Sequence, residues 1–325
     1  MDFRLDEAQL ELRDTVGRLC ADRFPTDELS RRETGRVDRD AWRALAALGV
    51  FSVALPDGAG GSGFGAVGAA IVFEQLGAHL VPGPVLWTTL AAAGIDGAAS
   101  GSALVCGVDD DASDEPLLIE HVADADALLV LRDGIHVVAG GDLPPAAPVT
   151  PLDPLTPVGR VDRLPRGIQL GDADDAAALR RTGTVLAAAL LVGIADAALD
   201  GARRWALARE QFGAPIGSFQ AIQHLLADMY VRVALARSAV YAAAATLDDA
   251  GIGDPGRAAA GAKLLAGEAA LDNARTSIQI HGGMGFTWDM PPHYFLKRAW
   301  VLEHAFGGSD AHALALGSAI VDGRA

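Results

Sequence analysis

Four long stretches in the second half of the chain, residues 179–208, 219–247, 257–281 and 294–320, follow a helical pattern and are separated by connections bearing Gly, Pro or Asp. Four helices of that length predict an antiparallel bundle. The last stretch carries Gly307-Gly308 and is expected to break or bend there. Alanine dominates the composition and aromatic residues are only 6% of it, a mix that favours long, closely packed helices over a β-sandwich.

The first hundred residues are also mainly helical in pattern. Leu12, Val16, Leu19 and Cys20 give helical spacing within 5–24, and 40–48, 66–80 and 84–94 read as further helices. Residues 51–55 are brief, apolar and strand-like, and Pro56-Asp57-Gly58 ends them. After Gly101 the texture changes. Short apolar pieces at 103–108, 116–119, 128–131 and 135–138 are divided by Asp, Gly and Pro clusters, which is strand-and-turn punctuation. The acidic run at 109–115 reads as a solvated turn. The expected fold is therefore mostly α with a small β domain: an N-terminal helical domain (1–100), a reduced β domain (101–171) and a C-terminal four-helix bundle (172–325). A length of 325 residues fits two or three domains.

A formal net charge of −16 disfavours nucleic acid and anionic membranes as partners, and an anionic ligand needs local basic groups against that field. Cys20 and Cys106 form no CxxC pair, so neither a disulfide framework nor a zinc site is expected; they read as ordinary buried thiols. The charged N-terminus lacks a secretory apolar core, and the longest apolar stretch, 185–195, is too short to span a bilayer. These features point to a cytoplasmic protein. No Ser-His-Asp order, HExxH, Walker lysine motif or metal-ligand spacing stands out, so no metal is expected. Gly63-Phe-Gly65-Ala-Val-Gly68 matches GxGxxG but lacks the surrounding βαβ series and the later acidic residue, so it reads as a structural glycine-rich connection.

Two strings carry the chemical signal. Residues 209–229 read REQFGAPIGSFQAIQHLLADM, and 279–298 read QIHGGMGFTWDMPPHYFLKR. An arginine at a helix end complements the macrodipole and Gly213 stops a helix, but that reading leaves Phe212 and PIGSFQAIQH unexplained. The functional reading makes Arg209 a bidentate partner for a pyrophosphate, with Phe212 packed on an adenosine or flavin. In the second string the glycines permit close backbone approach and Gln279 offers both donor and acceptor. His281 and His224 read as packing or capping residues and carry no catalytic assignment.

These strings resemble the two best-marked stretches of the C-terminal domain of acyl-CoA dehydrogenases, FAD enzymes that desaturate acyl-CoA thioesters. LDEAQLELRDTV, WRALAALGVFSVALPDGAGGSGFG and FEQLGAHLVPGPV resemble the N-terminal part of the same family. The resemblance implies that Arg209, Gln211, Phe212, Ile216, Gln220, Gln279, Ile280, Gly282 and Gly283 contact an FAD held mainly by a neighbouring subunit. Three departures accompany it. The family's aromatic-Glu-Gly-Thr pattern aligns with Phe306-Gly307-Gly308-Ser309, and the glutamine after it is Ala311. The alternative base position falls in Arg181-Thr-Gly-Thr184. The short middle segment lacks the Thr-Glu-Pro and Gly-Ser-Asp flavin signatures and the Trp followed by Thr or Ser.

The chain thus resembles the small subunits of actinobacterial α2β2 enzymes acting on steroid side-chain CoA esters. That implies a longer acyl-CoA dehydrogenase subunit supplying the catalytic Glu, an acyl-CoA substrate, and electron-transfer flavoprotein or another acceptor. Three other readings stay open. They are a self-sufficient enzyme whose base is displaced to Glu303 or Asp310, a flavin-dependent oxidase on the same fold, and a non-catalytic helical scaffold or regulatory subunit.

Overall fold

The computed structural model describes residues 5–33, 35–110 and 116–321. It is mostly helical with a small β region, and it divides into two compact units. One comprises Met1–Arg31, Ala70–Val81 and Thr184–Ala325, the other Arg32–Ala69 and Pro82–Gly183.

Local signals explain where the early helices begin. Helix α1 (Glu7–Arg23) opens on a reciprocal cap: the Asp6 carboxylate accepts from the Gln9 N–H and the Gln9 side chain accepts from the Asp6 N–H. Helix α2 (Arg39–Ala47) starts at Asp38, which accepts from Asp40 and Ala41. Residues 51–55 are not strand-like. They form turns closed by Ser52 N–H to Gly49 and Leu55 N–H to Ser52, with Phe51 and Val53 buried. Burial, not sheet pairing, accounts for their apolar character. Helices α3 (Gly65–Ala78) and α4 (Val85–Ala91) follow.

Among the described residues, seven strands make up the β region: β1 (Val105–Asp109), β2 (Leu117–Glu120), β3 (Ala127–Leu131), β4 (Ile135–Ala139), β5 (Ala147–Val149), β6 (Val158–Val161) and β7 (Ile168–Gly171). They form two sheets, ordered β1-β3-β4-β7 and β2-β6-β5. The β1–β3 pair is parallel and the others are antiparallel. The first four coincide with the expected pieces; β5, β6 and β7 were not anticipated. Gly107 lets α4 pack on the sheet, since a Cβ there would stand 2.1 Å from the Trp87 ring. Of the acidic run, Asp109 pairs with Arg180 at 2.8 Å and Asp110 with Arg132 at 2.9 Å. The rest of the expected solvated turn, 111–115, lies outside the described residues.

Helix α5 (Ala173–Ala208) is 36 residues long and starts six residues before the expected position. The reason is Asp172, which accepts from the N–H groups of Asp174 and Asp175. By length and composition α5 passes for a membrane span, yet 78% of its apolar window is buried, as in the core helix of a bundle. Helices α6 (Gln220–Asp248) and α7 (Pro255–His281) follow. The final stretch separates into α8 (Pro292–His304) and α9 (Ser309–Val321). The break comes where expected, at Phe306 and Gly307, whose φ angles are 56° and 95°.

Packing in the helical unit is close because the side chains are small. A Cβ on Gly193 would lie 2.0 Å from the Glu74 carbonyl oxygen, and one on Gly77 would lie 2.1 Å from that of Leu190. Helices α3 and α5 thus cross backbone to backbone. Buried Asn273 on α7 donates to the carbonyls of Ala195 on α5 (3.2 Å) and Met229 on α6 (3.0 Å). Glu74, only 5% exposed, accepts from Arg237 and from the Tyr241 hydroxyl, and Arg237 also reaches Asp196 at 2.8 Å.

Gly193→Ala is expected to cost roughly 1–3 kcal/mol through overpacking. Gly201→Ala in the same helix, where a Cβ meets nothing within 4 Å, should instead stabilise by about 0.5–1 kcal/mol. Denaturant unfolding of the two variants checks the pair; equal effects would contradict the backbone crossing.

Candidate functional site

The first motif folds into a hairpin. Arg209 is held to the end of α5 by its N–H to the Trp205 carbonyl, and the Arg209 carbonyl accepts from Ile216 across the hairpin base. Strands β8 (Glu210–Gln211) and β9 (Ala214–Pro215) pair antiparallel around Phe212 and Gly213. Both turn residues have positive φ, 55° and 80°, the pattern of a two-residue type I′ turn. Gly213 is therefore the second turn residue of a hairpin and not merely a helix stop. Asn or Gly is the usual first residue of such a turn. A phenylalanine there stores backbone strain of about 1 kcal/mol. Its ring is 94% exposed, with an edge contact to Phe219 at 6.1 Å.

The second motif ends α7. Gly282 leaves the helix with φ 62°, and residues 282–286 form a short 3-10 turn. Gln279, Gly282 and Gly283 are exposed, and a Cβ on Gly213, Gly282 or Gly283 would meet nothing within 4 Å. The backbone here is open to close approach by a ligand. Arg209 is also exposed and has no ion pair or side-chain hydrogen bond among the described residues.

The two motifs meet in the core. Ala202, Ala206, Met229 and Ile280 form a buried cluster, against which Trp205, Ile216 and Ile222 pack. Above it the Trp205 and His281 rings stack with centroids 4.9 Å apart and planes 20° from parallel. The His281 Nδ1 donates to the Ser277 carbonyl at 2.7 Å. Burial pushes the imidazole pKa down, only partly opposed by that bond, which favours the neutral ring. Of the sequence-derived positions, Arg209, Gln211, Phe212, Gln220, Gln279, Gly282 and Gly283 are exposed. Ile216 and Ile280 instead direct their side chains into the cluster. Gln211 donates to the neighbouring Glu210 carbonyl at 2.7 Å. Trp205 was not anticipated; its spacing of one helical turn before Arg209 was the available signal.

The link between α8 and α9 carries the position at which the family resemblance implies a carboxylate. Gly307 occupies it, in left-handed backbone. Lys263 on α7, 2% exposed, donates to the carbonyls of Glu303 (2.6 Å) and Gly307 (2.9 Å). The His312 Nε2 donates to the Phe306 carbonyl at 3.1 Å. Glu303 accepts from the Ser309 N–H at 2.6 Å, so it caps α9. Burial raises the Glu303 pKa, but the Ser309 bonds, with His304 and Lys263, more than offset it and hold the carboxyl below its usual range. That makes Glu303 a capping group and a weak base. Asp310 is exposed in the first turn of α9. The 181–184 segment offers no carboxylate.

Two outcomes follow from these geometries. Burial pushes the Lys263 ammonium down to about 8, opposed only by Glu303. Between about pH 8 and the ordinary lysine range near 10.5 the unfolded chain holds a proton that the folded chain has released. Stability should therefore rise with pH across that window, by at most about 1.4 kcal/mol per pH unit from this group. Lys263→Met should remove that rise; an identical pH profile in urea melts would overturn the assignment. At the hairpin, relieved strain of about 1 kcal/mol offsets a lost edge contact of about 0.5–1.5 kcal/mol. Phe212→Gly should thus leave chain stability unchanged within about 1 kcal/mol. A loss of about 3–5 kcal/mol, typical of a core phenylalanine, would show that the ring belongs to the core.

Comparison with known proteins gives a consistent result. Residues 6–129 match the acyl-CoA dehydrogenase N-terminal domain and 180–321 the C-terminal domain. The chain is 34% identical over 308 residues to acyl-CoA dehydrogenase IpdE2 of Mycobacterium tuberculosis, covering 90% of this chain and 91% of that protein. The fold matches a chain of the ChsE4–ChsE5 complex from Mycobacterium tuberculosis with a TM-score of 0.84 at 27% identity, covering 99% of both chains. It matches a chain of the Tcur3481–Tcur3483 steroid ACAD G363A variant with a TM-score of 0.83 at 25% identity, covering 98% of this chain and 99% of that one. With both terminal domains matched and a relative aligned along nearly its whole length, the chain belongs to the acyl-CoA dehydrogenase family.

Proposed function

We propose that this chain is the shortened, base-free subunit of a cytoplasmic heteromeric acyl-CoA dehydrogenase. It grips the nucleotide end of an FAD housed mainly by a longer subunit that carries the catalytic Glu. The observation that carries this reading is an asymmetry. An unpaired, exposed Arg209 stands with an exposed Phe212 and the open backbone at Gly282 and Gly283, whereas the α8–α9 link has no enclosed, uncommitted carboxylate.

The residues fit that cofactor at one end. Arg209 offers a planar donor fork for a pyrophosphate and Gln279 a donor and acceptor for a ribose or phosphate. Phe212 offers a preset apolar face, and the glycines leave room for the nucleotide. When bound, the flavin would supply hydride acceptance from the acyl chain, coupled to removal of an α-proton. The proton acceptor must be a carboxylate within hydrogen-bond reach, and in this reading it comes from the partner. The likeness to a steroid ACAD assembly supports a bulky, steroid-derived acyl-CoA substrate. Electron-transfer flavoprotein or another acceptor would serve as the complex's electron sink. The self-sufficient alternative is disfavoured because Glu303 is already occupied as the cap of α9.

Expressed alone, the chain should be colourless; co-expressed with its longer partner, it should form a yellow, active complex. Arg209→Ala should weaken FAD retention in that complex by roughly 1–3 kcal/mol, the worth of a charged hydrogen bond. Glu303→Gln and Asp310→Asn should leave turnover within about twofold, as surface and capping changes do when they miss the chemistry. A yellow, active homo-oligomer purified without a partner would refute the proposal.

A further inference from the structure

Building on the reading that this chain grips the nucleotide end of a flavin, we infer that Trp205 and His281 are a positioning pair. Their stacked rings set the separation between the 209–215 hairpin and the 279–283 turn, so that both segments can engage one cofactor together. Neither ring belongs to the exposed set that would touch the ligand. Trp205 is half-buried one turn before Arg209, and its carbonyl accepts from the Arg209 N–H. His281 is 7% exposed; it follows Gln279 by two residues and directly precedes Gly282.

The surrounding contacts explain why this pair sets the spacing. Beneath it the ends of α5 and α7 meet through Ala202, Ala206 and Ile280. Alanines bring helices close but have no lateral reach, so the rings 4.9 Å apart supply the large flat contact between the two ends. The imidazole cannot swing freely, because its Nδ1 is tied to the Ser277 carbonyl one turn back on α7. Truncating either ring removes the spacer and lets each motif move with its own helix end. A planar ring is what the site requires, not proton transfer.

The test measures FAD release from the complex by the fluorescence of freed flavin. Trp205→Ala and His281→Ala should each speed release by about tenfold, the scale on which lost preorganisation acts, with circular dichroism and subunit ratio unchanged. Trp205→Phe and His281→Phe keep a planar ring and should stay within about threefold. In an Arg209→Ala background, Trp205→Ala should add less than about twofold, because residues acting on one grip are not additive. Release unchanged in both alanine variants while Arg209→Ala speeds it would overturn the positioning role alone. So would phenylalanine variants as fast as alanine. Unchanged release in Arg209→Ala would instead sink the underlying reading of the site. If Trp205→Ala fails to assemble, His281→Ala and the two phenylalanine variants decide by the same criteria.

Discussion

The buried amide of Asn273 is the contact on which the helical unit depends. One NH2 group donates to the main chain of two other helices, at Ala195 and Met229, and so fixes α5, α6 and α7 in register. Such a link is possible only where helices run close, and the surrounding residues are alanines and glycines that permit it. Alanine burial contributes little per residue. The compensating terms are backbone proximity, a fully satisfied buried polar group and the Glu74–Arg237–Tyr241 network. That contact fixes the middles of the helices and leaves the spacing of their ends to the packing further along. The hairpin that follows α5 and the turn that closes α7 extend from those helices, joined near their ends by the Trp205–His281 stack.

Electrostatics distinguish Arg209 from the other cations around it. The chain has 42 acidic and 26 basic residues, so its long-range field repels an anionic ligand. Many arginines spend their charge locally: Arg203 and Arg204 on Asp200, Arg275 on Asp272, Arg237 on Glu74 and Asp196. Arg209 has no such partner among the described residues. At ordinary ionic strength the field of distant acids fades within about 10 Å, whereas a direct guanidinium–phosphate contact does not. In the proposed reading, short-range chemistry at Arg209 therefore outweighs the net charge. The net charge governs solubility and the approach of other polyanions.

Much of this was legible in the chain. Helices α1, α2, α4, α6 and α7 announce themselves by apolar spacing, joined by side-chain caps at α1, α2 and α7, and Gly307-Gly308 marks the break before α9. The start of α5 was hidden because Asp172, Asp174 and Asp175 look like a loop until their side chains are seen to cap the helix. Residues 51–55 looked strand-like because burial and strand pairing select the same apolar residues. Strands β5 and β7 were invisible for the opposite reason: they are exposed and show no alternation. At the candidate site the structure brings the two motif strings together, while the facing of each side chain was not legible in them. Ile216 and Ile280 turned inward, and the hairpin was missed because Phe is not a residue that a type I′ turn advertises. The Trp205–His281 stack joins positions far apart in sequence, and only tertiary structure brings them together.

The α8–α9 link argues that the missing carboxylate and the backbone around it are one property. Lys263 is a charge buried beneath the link, and its desolvation is compensated by carbonyls at the negative end of α8. That arrangement places the residue 307 carbonyl toward the lysine and gives residue 307 a φ of 95°. Glycine adopts that conformation freely, while a side chain there adds strain of about 1 kcal/mol or more. A Cβ on Gly307 would also stand 3.2 Å from the His312 Nε2. A glutamate at 307 would therefore carry backbone strain and crowd His312, costs that the glycine avoids. The link is built to anchor α9, none of whose residues is buried, and that anchoring role conflicts with presenting a base. The link thus agrees with the proposed reading, in which proton abstraction comes from a partner subunit.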